Sequence, residues 1–210
     1  MAFKFNRELR RNLQLSVDFR KSVCYNIYRE IFATAKGKIP MKKTAIVING
    51  AGGVGKDTLC AFAAKHLSVR NISTITPIKD IARQAGWDGS KDDRSRKFLA
   101  DLKKLSVEYN DFPTKWALGV YNEFLKTDEQ ILFVHIREPE EIAKFVKATG
   151  GAARSLLIRG GDRMKKAHYG NYADDSVENY TYDYYFVNDK TLEEAEADFV
   201  RLMERALDEA

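Results

Sequence analysis

Cysteine is scarce in this sequence, and long apolar runs are missing from it. Cys24 and Cys60 are too few to form a disulfide framework, so a reducing cytoplasm is the expected compartment. No apolar run approaches the ~18 residues that a helix needs to span a bilayer, so we expect no membrane partner. Cys60 falls on a predicted helix, where a buried thiol is the expected state.

Histidine and clustered basic residues are also sparse. His66, His135 and His168 form no metal-binding pattern in the sequence. The formal net charge is +5, but the basic residues are scattered and form no long run. We therefore do not expect nucleic acid to be the main partner, and a small phosphorylated molecule fits the charge equally well.

The chain of 210 residues is long enough for one α/β domain with an appendage. Residues 1–40 precede a break in the pattern at Lys38–Lys43. Within them, Val23, Ile27 and Ile31 recur at the spacing of one helix face, which predicts a packed N-terminal helical extension. Residues 41–210 are predicted to form the main domain.

Predicted strands and helices alternate from Lys42 onward. The predicted strands are Thr44–Asn49, Ile72–Thr76, Gln130–Ile136, Ser155–Ile158 and Tyr184–Val187. The predicted helices are Thr58–Leu67, Ile78–Gly86, Arg94–Asn110, Pro113–Leu125, Pro139–Ala148 and Thr191–Leu207. Continuously apolar strands are expected where helices cover both faces of a parallel sheet. The order therefore predicts an α/β fold, a three-layer doubly wound parallel sheet of five strands.

A glycine-rich segment follows the first strand and reads G-A-G-G-V-G-K-D-T. It matches the phosphate-binding pattern G-x-x-x-x-G-K, known as Walker A. A loop between a buried strand and a helix directs successive backbone N–H groups at an anion, and its lysine adds a mobile positive charge. The predicted nucleotide-binding residues are Gly50, Ala51, Gly52, Gly53, Val54, Gly55, Lys56, Asp57 and Thr58.

An acid stands at position 57, where this pattern normally has the Ser or Thr that binds Mg²⁺. The hydroxyl comes one residue later, at Thr58. The positive end of the helix dipole and the charge of Lys56 both attract a negative group at this position. We predict that Asp57 and Thr58 form the Mg²⁺ site, with Thr58 able to contact a phosphate instead, and with Glu138 as the competing acid.

The G-K-D-T form resembles the nucleoside monophosphate kinases, in particular the phage-type deoxynucleoside monophosphate kinases and their bacterial relatives. Trp87–Leu102 resembles the acceptor segment of that family. His135–Glu141 is similar to its strand-end motif D-V-R-x-P-x-E, with His135 in place of the acid. Ala173–Asp183 and the following N-D-K-T-L-E-E also resemble this group. The resemblance covers most of residues 41–210.

This resemblance implies a P-loop nucleotide kinase fold and phosphoryl transfer from ATP, with Mg²⁺, to a nucleoside or deoxynucleoside monophosphate. It implies acceptor-binding helices at about 78–127 and a short lid at about 159–179. Charge neutralisation during the transfer calls for cations from several loops. The predicted catalytic residues are Lys56, Arg137, Arg159 and Arg163, and the predicted acceptor-binding residues are Trp87, Arg94 and Arg96.

Other interpretations stay open. Arg94 and Arg96 also fit the solvated face of a helix. A kinase of another small acceptor, such as a cofactor precursor, and an ATP-binding regulatory protein without catalysis both fit the phosphate loop. A GTPase does not, because the nearest string to its guanine-reading N-K-x-D is Val187–Lys190. The sequence does not determine which base and sugar the acceptor carries, or whether the protein is a monomer or a homodimer.

Overall fold

The computed structural model describes residues 41–161 and 177–210. Its strands are β1 (Thr44–Asn49), β2 (Val69–Ser73), β3 (Ile131–His135), β4 (Arg154–Gly160) and β5 (Tyr184–Asn188). Its helices are α1 (Lys56–His66), α2 (Thr76–Gln84), α3 (Asp93–Asn110), α4 (Phe112–Phe124), α5 (Pro139–Ala148) and α6 (Leu192–Asp208). The predicted α/β class with five strands is confirmed.

The strands form one parallel sheet in the order β2-β3-β1-β4-β5. β1 is central, and all six of its residues are buried. From β1 the chain continues to β2 at one edge of the sheet, and from β4 it continues to β5 at the opposite edge. The carboxyl ends of β1 and β4 therefore flank a topological switch point, the place where ligands bind in open α/β sheets.

Side chains of β1 alternate between two hydrophobic cores. Ile46 and Ile48 face α1 and α6, where Phe199 stacks on Phe133 with ring centroids 6.1 Å apart. Ala45 and Val47 face the opposite core, which includes residues of α4 and α5. Helices thus cover both faces of the sheet, as the predicted three-layer architecture requires.

Some predicted element boundaries are wrong. β2 lies three positions earlier than predicted, because Val69–Ser73 pairs in register with the whole of β3. α2 begins at Thr76 rather than Ile78, since Pro77 is compatible with the first turn of a helix. α1 begins at Lys56 rather than Thr58, so Lys56 and Asp57 both lie in its first turn. β4 continues to Gly160, which pairs with the last residue of β5.

Two predicted segments lie outside the described residues, namely the extension at 1–40 and most of the lid at 159–179. Arg163 lies outside them as well. Among the helices that the structure does describe, none is both long and apolar enough to cross a membrane.

Candidate functional site

The glycine-rich loop begins at the carboxyl end of β1 and lies against the end of β4. Gly50, Gly53 and Gly55 have φ angles of 145°, 79° and 90°. A Cβ atom on Gly50 would lie 2.4 Å from the backbone oxygen of Ile158. Because no side chain fits at that distance, glycine is required where the chain turns out of the sheet.

Lys56 lies over this loop from the first turn of α1. Its ammonium group donates hydrogen bonds to the backbone oxygens of Gly50 and Ala51, the second at 2.8 Å. Asp57 and Thr58 are exposed in the same turn. The loop and the helix N-terminus therefore place backbone N–H groups and one mobile cation where a phosphate chain would bind.

The donor set around Asp57 fits a magnesium ion. A carboxylate and a hydroxyl are hard oxygen ligands, which Mg²⁺ prefers, and it usually keeps several waters or phosphate oxygens as further ligands. In the part of the chain that the structure describes, no group of three or more His, Cys, Asp or Glu is arranged to hold a metal. A magnesium ion here would consequently take most of its ligands from the nucleotide and from water.

Asn188 fixes the second half of the loop from the end of β5. Its Nδ2 donates a 2.9 Å hydrogen bond to the backbone oxygen of Val54. A Cβ atom on Gly55 would lie 2.5 Å from the same Nδ2. The string at Val187–Lys190 does not read guanine as in a GTPase, but it supplies the residue that holds the loop. The sequence pattern gave no signal for this role.

Asn49, the last residue of β1, makes a second buried contact with the loop. Its Oδ1 accepts a 2.7 Å hydrogen bond from Gly50 N, and its Nδ2 donates to Arg137 O at 3.0 Å and to the Tyr182 hydroxyl at 2.7 Å. That hydroxyl in turn donates to Val177 O at 2.8 Å. The one sequence signal for this network is an asparagine that ends an otherwise apolar strand.

His135 lies at the end of β3, with its Nε2 3.9 Å from Cys60 Sγ. The pKa of His135 is lowered to about 4, mainly by burial; the charge of Asp57 opposes this shift, and the charges of Lys56 and Arg137 contribute to it. Burial also raises the pKa of the Cys60 thiol to about 12. Both side chains are therefore neutral at pH 7, and the expectation of a buried Cys60 is confirmed.

Glu138, the competing acid, forms an ion pair with Lys103 of α3. Lys103 Nζ also lies 3.0 Å from Glu141 Oε2, and both of these side chains are largely buried. Burial raises the pKa of Glu141, while Lys103 acts to lower it. The carboxylates of Glu138 and Glu141 are thus directed at Lys103 on α3.

The predicted catalytic arginines have different surroundings. Arg137 is exposed directly beyond β3, and its backbone oxygen accepts the hydrogen bond from Asn49. Arg159 forms a two-point pair with Glu178, with Nε to Oε1 at 2.9 Å and Nη2 to Oε2 at 2.6 Å, and its guanidinium lies 4.8 Å from the Tyr185 ring centroid. This ion pair links the segment that precedes residues 162–176 to the segment that follows them.

The predicted acceptor residues lie around the start of α3. Asp92 caps this helix by accepting a 2.7 Å hydrogen bond from Ser95 N. Arg94 and Arg96 are exposed in its first turn, and Arg96 forms a 3.9 Å ion pair with Asp93 of the same helix. Trp87 is half-buried, and its Nε1 donates to Ser90 O at 3.2 Å. Their surroundings fit a solvent-facing acceptor surface and a solvated helix face equally well.

No protein-family model matches this sequence, and no curated protein matches it. Solved structures similar to the chain include kinases of differing substrates. A shikimate kinase from Bacteroides thetaiotaomicron is 17% identical, with a TM-score of 0.41 over 79% of this chain and 98% of that one. An APS kinase from Mycobacterium tuberculosis is 13% identical, with a TM-score of 0.39 over 79% and 99%. A tunicamycin resistance protein from Deinococcus radiodurans is 11% identical, with a TM-score of 0.47 over 80% and 95%.

Gly55→Ala should weaken nucleotide binding, because the added methyl group would displace Asn188 and the loop peptide that it holds. We expect ATP affinity, measured by calorimetry, to fall at least ~10-fold, comparable to the loss of a supporting contact around a ligand site. Gly86→Ala is the matched control, since Gly86 has a similar φ of 94° but nothing within 4 Å of the added atom. Equal loss of affinity in both variants would show that Asn188 has no part in the effect.

His135 should make stability depend on pH below neutrality. Its pKa is about 4 in the folded chain against about 6.5 when unfolded, so the unfolded state binds more protons between these values and stability falls as the pH falls. From pH 7 to pH 5 the expected loss is about 2 kcal/mol. Urea unfolding of the wild type and of His135→Gln measures the difference. Parallel pH profiles of the two proteins would contradict the prediction.

Proposed function

We propose that this protein is an ATP-dependent kinase that phosphorylates a nucleoside or deoxynucleoside monophosphate. The observation that carries the proposal is the phosphate loop, which Asn49 and Asn188 hold at the switch point of the sheet with Lys56 folded across it. A loop so constrained binds a phosphate chain without rearranging its backbone.

The acceptor side of the proposal rests on the helices between β2 and β3. α2, α3 and α4 together span residues 76–124, and we assign the acceptor-binding role to this region. Arg94 and Arg96 are exposed cations at the start of α3, and Trp87 is a half-buried aromatic residue six positions before that helix. We assign them to the acceptor phosphate and the acceptor base, respectively.

A monophosphate acceptor suits a site without a general base. Its phosphate oxygens are already ionised near neutral pH, since the second pKa of a phosphate monoester is about 6. His135 is neutral at pH 7, and burial opposes its protonation. The positive charge needed at the transferring phosphoryl group therefore falls to Lys56 and Arg137, together with Arg159 and Arg163 of the proposed lid.

Magnesium would bind at Asp57, with Thr58 beside it. When bound, the ion neutralises phosphate charge during the transfer. Asp57 is exposed and follows Lys56 in the first turn of α1, so its carboxylate is available beside the loop. Glu138 is a weaker candidate because its carboxylate already pairs with the ammonium group of Lys103.

A panel of acceptors tests this function. Wild-type protein with ATP and Mg²⁺ should phosphorylate at least one of AMP, CMP, GMP, UMP, dTMP and the deoxy forms, with ADP formation as the readout. Lys56→Ala should lower that rate at least ~100-fold through lost charge stabilisation. Lys65→Ala, on the exposed side of the same helix, should not. ATP binding without turnover on any acceptor would favour the regulatory alternative, and turnover only on a different small acceptor would favour the other kinase.

Asp57→Asn should raise the Mg²⁺ concentration needed for the half-maximal rate at least ~10-fold, the usual effect of disturbing a metal site. Binding of metal-free ATP should stay unchanged or tighten, because a negative charge near the phosphates is removed. Glu138→Gln serves as the comparison and should leave the Mg²⁺ dependence as in the wild type. The opposite ranking of the two variants would move the metal site to Glu138.

A further inference from the structure

The first residue of the phosphate loop and the backbone of Arg137 meet at the end of the ladder between β1 and β3. These strands pair in register up to Ile48 with His135. Continued by two residues, the same register would bring Gly50 opposite Arg137. Gly50 instead turns away into the loop with a φ of 145°, so the ladder does not continue to these two residues.

The Asn49 side chain links these two segments beyond the end of the ladder. Its Oδ1 accepts from Gly50 N at 2.7 Å, and its Nδ2 donates to Arg137 O at 3.0 Å. One amide group thus connects the N–H on the loop side to the carbonyl on the β3 side. Among the common side chains of this length, only asparagine offers an acceptor and a two-proton donor together.

This contact is buried and its members have partners. Asn49 is 1% exposed and Tyr182 is 4% exposed. The second Nδ2 proton of Asn49 bonds to the Tyr182 hydroxyl, which then donates to Val177 O. A buried polar network whose members all have partners fixes one arrangement of its backbone segments.

We propose that Asn49 is a positioning residue that fixes Arg137 against the start of the phosphate loop. This inference rests on the proposed kinase function for its consequence, because Arg137 is there the cation that meets the transferring phosphoryl group. A charge that stabilises this group must stand at a set distance from the loop that holds the nucleotide. Asn49 itself touches neither nucleotide nor acceptor in this assignment.

The test compares Asn49→Leu, which keeps the side-chain volume and removes its hydrogen bonds, with Tyr182→Phe. Tyr182→Phe disturbs the same buried network but leaves both Asn49 contacts to Gly50 and Arg137 in place. In hydrogen–deuterium exchange, the amides of Gly50 and of residues 136–138 should exchange at least ~10-fold faster in Asn49→Leu and stay near wild type in Tyr182→Phe. Equal exchange in the two variants would overturn the proposal. If Asn49→Leu does not fold, Asn49→Ser takes its place.

A double-mutant cycle tests the consequence for the reaction. Asn49→Leu should lower kcat ~10- to 100-fold in the wild-type background. In the Arg137→Ala background it should lower kcat less than ~3-fold, because the group that it positions is already gone. The same factor in both backgrounds would show that Asn49 does not act through Arg137. If the wild type transfers phosphate to no nucleotide, the proposed function fails, and the exchange experiment alone decides whether Asn49 holds Arg137.

Discussion

Burial of β1 on both faces sets the position of the glycine-rich loop and of the side chains around it. Its residues face one core under α1 and α6 and another that includes α4 and α5, so the strand has no freedom to shift along its axis. The loop that leaves it starts from a fixed point. Two side chains then hold the loop. Asn188 on β5 bonds to the backbone of Val54, and Asn49 bonds to the backbones of Gly50 and Arg137. The site's rigidity derives from the sheet, although most of its ligand-facing atoms belong to a loop.

The titratable side chains near the start of the loop differ in charge and in the groups that they face. His135 occupies the place where the resembling family has an acid, and burial keeps it neutral. The nearby carboxylates of Glu138 and Glu141 are turned to Lys103 on α3 and so balance a lysine within the protein. In the kinase that we propose, Asp57 is therefore the acid best placed for a metal. With a histidine at the end of β3, that enzyme would depend on position 57, one residue beyond the loop lysine, for this task.

The sequence was sufficient to predict the sheet, its parallel sense and the glycine-rich loop between a strand and a helix. The spacing of residues in Gly50–Lys56 is a local pattern that is enough to predict the loop conformation. Apolar strands such as Ile131–His135 are easily distinguished from amphipathic helices by their hydrophobic pattern. The roles of Asn49, Asn188 and Tyr182 were not predictable in this way. Each depends on contacts between residues that are far apart in the chain, such as the 134 positions between Val54 and Asn188. β2 was misplaced because its half-buried residues lack a clear apolar run, and only its pairing with β3 defines it.

The buried thiol of Cys60 can also be used to follow the motion of α1. It is 2% exposed on the face of α1 that packs against the sheet, directly behind the loop. Burial raises its pKa to about 12, and a buried thiol meets a reagent in solution only when the surrounding structure opens. Its rate of alkylation is therefore a measure of how often α1 separates from the sheet. In the function that we propose, a nucleotide bound across the first turn of this helix would slow that opening, so alkylation of Cys60 would report occupancy of the site.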